Sequence, residues 1–197
     1  MLNDPVCNVL AITDAKLKEL APTSKGVVRD SLVEPFNKIL PEFQIDTQAR
    51  VAAFLAQMAH ETAHFRTLVE YGNPAYFKRY DGETSVGQRL GNRPGYSDGF
   101  RYRGRGAIQI TGRSNYQKYG KLLDIDLICN PDMAATGPVA ARVAAMYWSD
   151  HSLNAPADKV PIDVIAITRA INGGLNGLED RENYTRRALT IDWIEDA

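Results

Sequence analysis

The sequence predicts a mainly α fold in two lobes around a cleft, on three observations. Apolar residues recur at helical spacing on both sides of the chain's middle. Residues 72–106 concentrate Gly, Pro, Asn and Asp, a composition of loops with room for one short hairpin. Prolines and glycines stand at the ends of the periodic segments. Residues 13–21 and 25–40 read as the first two helices, closed by Pro22 and Pro41. Asp46 or Thr47 caps a third, in which Val51, Phe54, Leu55 and Met58 share a face and Glu61 falls near the C-terminal end. Pro138 and Pro161 each open a helix, and Gly173-Gly174 closes the one begun at Pro161. A last amphipathic helix runs from Leu178 to Trp193, with Tyr184, Leu189 and Trp193 as core candidates. Any β structure is expected in the middle.

With 197 residues and a formal net charge of −1, the chain is long enough for one well-buried core and carries no global positive field to recommend nucleic acid. Cys7 and Cys129 are too few and too far apart for a disulfide framework, so both are expected as unpaired thiols of a reducing compartment. Asp4, Pro5 and Asn8 interrupt any secretory signal, and no run approaches membrane-spanning length.

His60-Glu61-Thr62-Ala63-His64 supports two chemistries. As H-E-x-x-H on a helix, it would put two imidazoles on one face for zinc, with the glutamate activating a bound water. Alternatively Glu61 is a helix-borne acid awaiting a second carboxylate. The second reading is preferred, because neither the glycine nor the third histidine of the usual zinc extension follows His64. Glu70 and Glu83 remain formal carboxylate ligands, and His64 reads as a helix-end packing or capping residue. The partner for Glu61 is Glu70, nine residues on. On an unbroken helix nine residues turn through roughly 900°, leaving the two on opposite faces, so they converge only if the helix ends between them. Gly72-Asn73-Pro74 is compatible with such a break.

Spacing alone would leave Glu70 a surface acid. The stretch from Tyr102 to Tyr116, YRGRGAIQITGRSNY, argues otherwise. Gly104 and Gly106 permit close backbone approach, Ile108 and Ile110 bury one face, and Gln109 and Thr111 face the other, toward a groove. Arg103, Arg105 and Arg113 receive no catalytic role.

Taken in order, HET at 60–62, the glutamate at 70, the 102–116 stretch, and INGGLNG at 171–177 followed by Asp180-Arg181 resemble glycoside hydrolase family 19, in particular its compact phage-endolysin and muralytic branch. The resemblance spans 46–190 and implies a lysozyme-like fold, mainly α with a small β part. It implies a single catalytic domain over 1–197, with N-terminal helices in 1–45 and no separate wall-binding module. Residue by residue, it implies Glu61 as general acid, Glu70 as the second acid, and Thr111 as holder of the attacking water. It further implies Gln109 and Asn172 as substrate-side amides and Arg181 as the charge near the acid. Tyr102 and Tyr116 are expected to contact sugar. Plant-type members carry a glutamate where this chain has Asn176, so their acidic network is absent or rebuilt here. Burial beside apolar neighbours such as Phe65 is then one available way to keep a proton on Glu61.

The implied activity is inverting hydrolysis of β-1,4 bonds in the peptidoglycan glycan strand by a monomer, without metal or other cofactor and without membrane insertion. Such an enzyme would wait in the host cytoplasm for a separate release mechanism. Chitin is the nearest alternative substrate, and a zinc peptidase of the wall's stem peptides is the alternative chemistry.

Overall fold

The structure, a computed structural model, describes residues 8–196. Strand β1 (Asn8–Leu10) leads to α1 (Asp14–Leu20) and α2 (Gly26–Ile39), which a 3-10 turn through Pro41 closes. Helix α3 (Gln48–Glu61) follows. The loop-rich middle holds short helices α4 (Pro74–Phe77), α5 (Ser85–Arg89) and α6 (Asp98–Arg101), then α7 (Arg113–Leu123). Helices α8 (Gly137–Asp150), α9 (Asn154–Ala157), α10 (Val164–Asn172) and α11 (Leu178–Ala188) complete the helical lobe before β2 (Ile194–Asp196). No helix of the described residues is long and apolar enough to cross a membrane.

Helix α3 is the axis of the core. Thr47 caps it, its side chain accepting from the Arg50 amide. From Val51 to Ala59 every residue is buried, so the helix is enclosed on all sides where one apolar face was expected. Its four buried alanines, Ala52, Ala53, Ala56 and Ala59, leave room for neighbours to approach. Helix α11 packs along α3, and α2 along α8. Phe54 stands edge-on to Phe36 on one side and to Trp148 on the other, with ring centres 5.6 and 5.4 Å away. One apolar cluster runs from Leu10 to Trp193, so the N-terminal helices share the core of the rest.

The approach of α8 to α2 depends on a proline and a glycine. Pro35, inside α2, has no N–H to give the Ser31 carbonyl four residues back. A Cβ on Gly137 would stand 1.7 Å from that same oxygen. The obstacle is backbone, which cannot swing aside. Gly137→Ala is therefore expected to force the two helices apart and to lower unfolding stability by about 1–3 kcal/mol in urea titrations. An unchanged midpoint would show that the contact is slack.

Four expectations are corrected. Pro161 does not open α10, which begins at Val164, where the Asp163 carboxylate accepts from the Ala166 amide at 2.9 Å. A proline supplies no such cap. Helix α11 stops at Ala188, not Trp193, and Leu189 is 46% exposed. Trp193 is buried from the segment beyond, where its indole N–H donates to the Ala188 carbonyl and ends the helix. The two-stranded sheet pairs β1 with β2 near the chain's two ends, Leu10 opposite Ile194, and not in the middle. Three-residue strands are too short to leave a readable alternation. In the middle, only isolated bridges join Val69 to Arg105 and Arg105 to Ile110. Cys129 is exposed, and Cys7 lies outside the described residues.

Candidate active site

The site is built around the end of α3. Glu61 is its last residue, and Thr62 terminates it: the Thr62 hydroxyl donates to the Met58 carbonyl at 2.6 Å and accepts from the Phe65 amide at 3.0 Å. Ala63, His64 and Phe65 then take left-handed conformations in succession, with φ of 49°, 67° and 54°. Such backbone costs an L residue about 1–2 kcal/mol each, and burial of the Phe65 ring in the core helps to offset it. The helix does end between Glu61 and Glu70, but well before Gly72-Asn73-Pro74. This reversal also takes His64 off the helix, so the one-face arrangement of two imidazoles implied by H-E-x-x-H does not form.

The end of α3 and the reversal beyond it are tied to α11 by side-chain pairs. Glu61, 18% exposed, accepts from Arg181 Nη2 at 2.5 Å. His60 Nδ1 meets the Asp180 carboxylate at 2.6 Å, and His64 Nδ1 meets the Tyr184 hydroxyl. Arg181 is itself only 2% exposed, too enclosed to bind a sugar directly, and acts as a positioning residue for Glu61. Its other donors go to neutral acceptors, Gln57 Oε1 at 2.5 Å and the Asn176 carbonyl at 3.4 Å. The network expected from a second acid is thus rebuilt from an amide and a main-chain oxygen. Phe65 sits in the core, and the neighbour that meets the Glu61 carboxylate is a guanidinium. Gly177 has φ of 72°, and a Cβ there would strike the His60 ring at 2.2 Å, so the INGGLNG glycine makes room for that pairing. Asn172, exposed at the end of α10, turns its amide to the same Asn176 carbonyl at 3.4 Å.

Glu70 stands on the other side of the reversal. Its amide donates to the Gly104 carbonyl at 2.8 Å, and the Gly104 amide donates to its Oε2 at 3.0 Å. Tyr80 and Tyr76 hydroxyls donate to Oε1 at 3.0 and 3.4 Å, with Arg79 Nη2 3.6 Å away. The Arg79 guanidinium lies 3.6 Å over the Tyr76 ring. Burial raises the Tyr80 phenol above its ordinary value, as does the Glu70 charge, and both keep it a donor. Sequence reasoning missed Tyr76, Arg79 and Tyr80. Their spacing of three and four residues in PAYFKRY was the available signal.

Gly104 joins two of the expected residues. A Cβ there would lie 2.8 Å from Gln109 Oε1 and 3.0 Å from Glu70 Oε2, so both side chains close over its bare backbone. Ile108 and Ile110 are buried while Gln109 and Thr111 are half-exposed, the alternation expected, although in a tight turn with Gln109 at φ of 54°. Gln109 Nε2 donates to the Gly106 carbonyl at 2.9 Å, and the Thr111 hydroxyl donates to the Gln109 carbonyl at 3.1 Å. Thr111 bonds to neither acid. Glu83, the alternative acid, accepts from the Gly95 amide at 2.6 Å within its own loop.

Tyr102 and Tyr116 are corrected. Both are buried, with hydroxyls donating to the Ile128 and Arg103 carbonyls at 3.2 and 2.6 Å, so a glycan has no access to them. Tyr116 also accepts from Arg105 at 2.9 Å, and burial pushes its phenol up to about 12. They prop the 102–116 segment from beneath.

A family model described as chitinase class I, glycoside hydrolase family 19, matches residues 42–187. The chain is 34% identical to a glycosyl hydrolase family 19 domain-containing protein of Haemophilus influenzae, over 72% of this chain and 79% of that one. It is also 34% identical to an acidic endochitinase of Petunia hybrida, over 72% of this chain but only 61% of the plant protein. Its fold is similar to that of chitinase C from Streptomyces griseus, with a TM-score of 0.59, 24% identity, and 95% and 97% of the two chains covered. It is likewise similar to a class IV chitinase from Zea mays, at 0.62, 21%, 92% and 94%.

Proposed function

The chain belongs to glycoside hydrolase family 19, and on that premise we propose that it hydrolyses the β-1,4 bonds of the peptidoglycan glycan strand as an endolysin. The observation that carries the mechanism is the pair of partly buried carboxylates on either side of the reversal, Glu61 held by Arg181 and Glu70 by the Gly104 amide and the Tyr80 and Tyr76 hydroxyls. Glu61 protonates the departing glycosidic oxygen, and Arg181, already 2.5 Å away, receives the carboxylate that forms. Glu70 takes the proton of a water that attacks the opposite face of the sugar. An inverting path needs the two carboxyls roughly 6.5–9.5 Å apart to admit that water. Gln109, beside Glu70, and Asn172, near Arg181, are placed to hold substrate amides and hydroxyls. Thr111 reaches the water after giving up its turn carbonyl.

Peptidoglycan is preferred over chitin on the resemblance of HET at 60–62, the 102–116 stretch and INGGLNG at 171–177 to the muralytic branch of the family. On this reading the enzyme is held in the host cytoplasm until a separate release step brings it to the wall. Mass spectrometry of fragments released from purified peptidoglycan tests it. New reducing ends on intact cross-linked stems are expected. New amino termini would mean a peptidase, and turnover of chito-oligosaccharides alone would mean a chitinase.

A further inference from the structure

Charge is distributed unevenly along this chain. Between Tyr71 and Arg113 stand eight Lys and Arg against three Asp and Glu, a surplus of five in a chain whose net formal charge is −1. Part of that surplus lines a groove of about 470 Å³ formed by Tyr96, Phe100, Arg101, Arg103, Arg105 and Asp132. Arg105 is buried and paired with Asp132 at 2.7 Å. Arg101 and Arg103 form no ion pair with a carboxylate among the described residues. Arg101 Nη2 donates to the Ile128 carbonyl at 3.0 Å, and Arg103 Nη1 to the Phe100 carbonyl at 2.9 Å, which fixes both heads and leaves further N–H groups unused. The Arg103 guanidinium lies 4.4 Å over the Phe100 ring, and Tyr96 is 63% exposed beside it. Three arginines face one acid, so the groove holds more positive charge than Asp132 balances, and burial with the neighbouring Arg105 charge lowers the basicity of Arg103.

We infer that this groove is a carboxylate-reading subsite, in which Arg101 and Arg103 bind an acidic substituent of the substrate while Tyr96 and Phe100 pack its apolar part. A guanidinium fork matches a carboxylate in two parallel hydrogen bonds, and the groove volume is that of a small-ligand site. Its place next to the catalytic segment gives it purpose. Arg103 directly precedes Gly104, whose amide holds the Glu70 carboxylate. The Glu70 charge is also felt at the Arg103 guanidinium, which puts the groove within reach of substituents on a glycan seated at that acid. Chitin has no carboxylate to offer, whereas a peptidoglycan strand carries them on its stem peptides. The inference rests on the proposed peptidoglycan activity and names the part of that substrate recognised beyond the sugar.

The test compares wild type with Arg101→Gln, Arg103→Gln and the double variant on peptidoglycan freed of teichoic acid, on the same material with its carboxyls amidated, and on neutral chito-oligosaccharides. On native peptidoglycan the double variant is expected to raise KM about tenfold with kcat within about a factor of two. Amidation should raise the wild-type KM by a similar factor and leave the variant unmoved, and the oligosaccharides should not distinguish the proteins. Equal KM values on native and amidated material, or equal losses on every substrate, would overturn the subsite. An effect that appears only when teichoic acid is retained would overturn the carboxylate as its ligand in favour of phosphate. Should wild type fail to cut peptidoglycan at all, the proposed activity falls. Calorimetry of a soluble disaccharide-peptide and its amide, each with Glu61→Gln, then decides the groove separately: equal affinities would overturn it, and preference for the acid would support it.

Discussion

Glu61→Gln is expected to lower glycan cleavage by about three to four orders of magnitude while leaving the fold intact. The amide has no carboxylic proton for the departing oxygen, which must then leave as an alkoxide. Its carbonyl still accepts from Arg181 Nη2, so the pairing of α3 with α11 survives the exchange. Loss of the ion pair leaves the buried Arg181 guanidinium with neutral acceptors only, Gln57 and Asn176, so a stability loss of about 1–3 kcal/mol is expected without loss of the fold. Initial rates on purified peptidoglycan, beside a thermal unfolding curve, separate the two effects. A folded variant with near-full activity would mean that the acid lies elsewhere.

Glu70→Gln is expected to be the second most damaging change, by about two to four orders of magnitude, since a base must accept the proton of the attacking water. The local structure can tolerate it. The new amide can set its oxygen toward the Gly104 N–H and its nitrogen toward Tyr80, whose hydroxyl rotates from donor to acceptor. Thr111→Ala should do less, about ten- to a hundredfold, because a hydroxyl only orients water, and Thr111→Ser should be nearly silent. Added azide is expected to restore part of the activity of Glu70→Ala, with an inverted azido sugar as product. If Glu70→Gln is harmless while Glu83→Gln is not, the base has been placed on the wrong loop.

What could be read in advance was whatever rests on local chemistry. Thr47 caps α3 because its hydroxyl can reach a free amide. Gly173 closes α10 in a left-handed conformation at φ of 70°. The alternation of Ile108 and Ile110 with Gln109 and Thr111 sorts buried from half-exposed. What could not be read was decided by distant parts of the chain. Ala63, His64 and Phe65 carry no mark of a left-handed turn. That turn is held by the burial of Phe65 and the two bonds of the Thr62 hydroxyl, so Gly72-Asn73-Pro74 drew attention to a break that had already happened. Tyr102 and Tyr116 look like sugar platforms in a string of letters, yet their hydroxyls serve main-chain carbonyls underneath. Leu189 fits the helical period of α11, but the helix ends before reaching it, where the Trp193 indole takes the Ala188 carbonyl. The contacts around Glu70 were legible only in part, since Tyr76, Arg79 and Tyr80 converge on it through short helices that composition marked as loop.

The pairs that His60, Glu61 and His64 make with α11 bear on when the protein becomes an enzyme. Each joins residues 120 positions apart, contacts that a growing chain can make only after α11 has been synthesised. Until α11 emerges and docks, Glu61 is a carboxylate at a frayed helix end, without the guanidinium that orients it. A ribosome-bound chain, or one cut before α11, therefore carries both acids and yet no competent catalyst. The long sequence separation works as a timer that keeps the glycosidase site unassembled until α11 has been made and has docked.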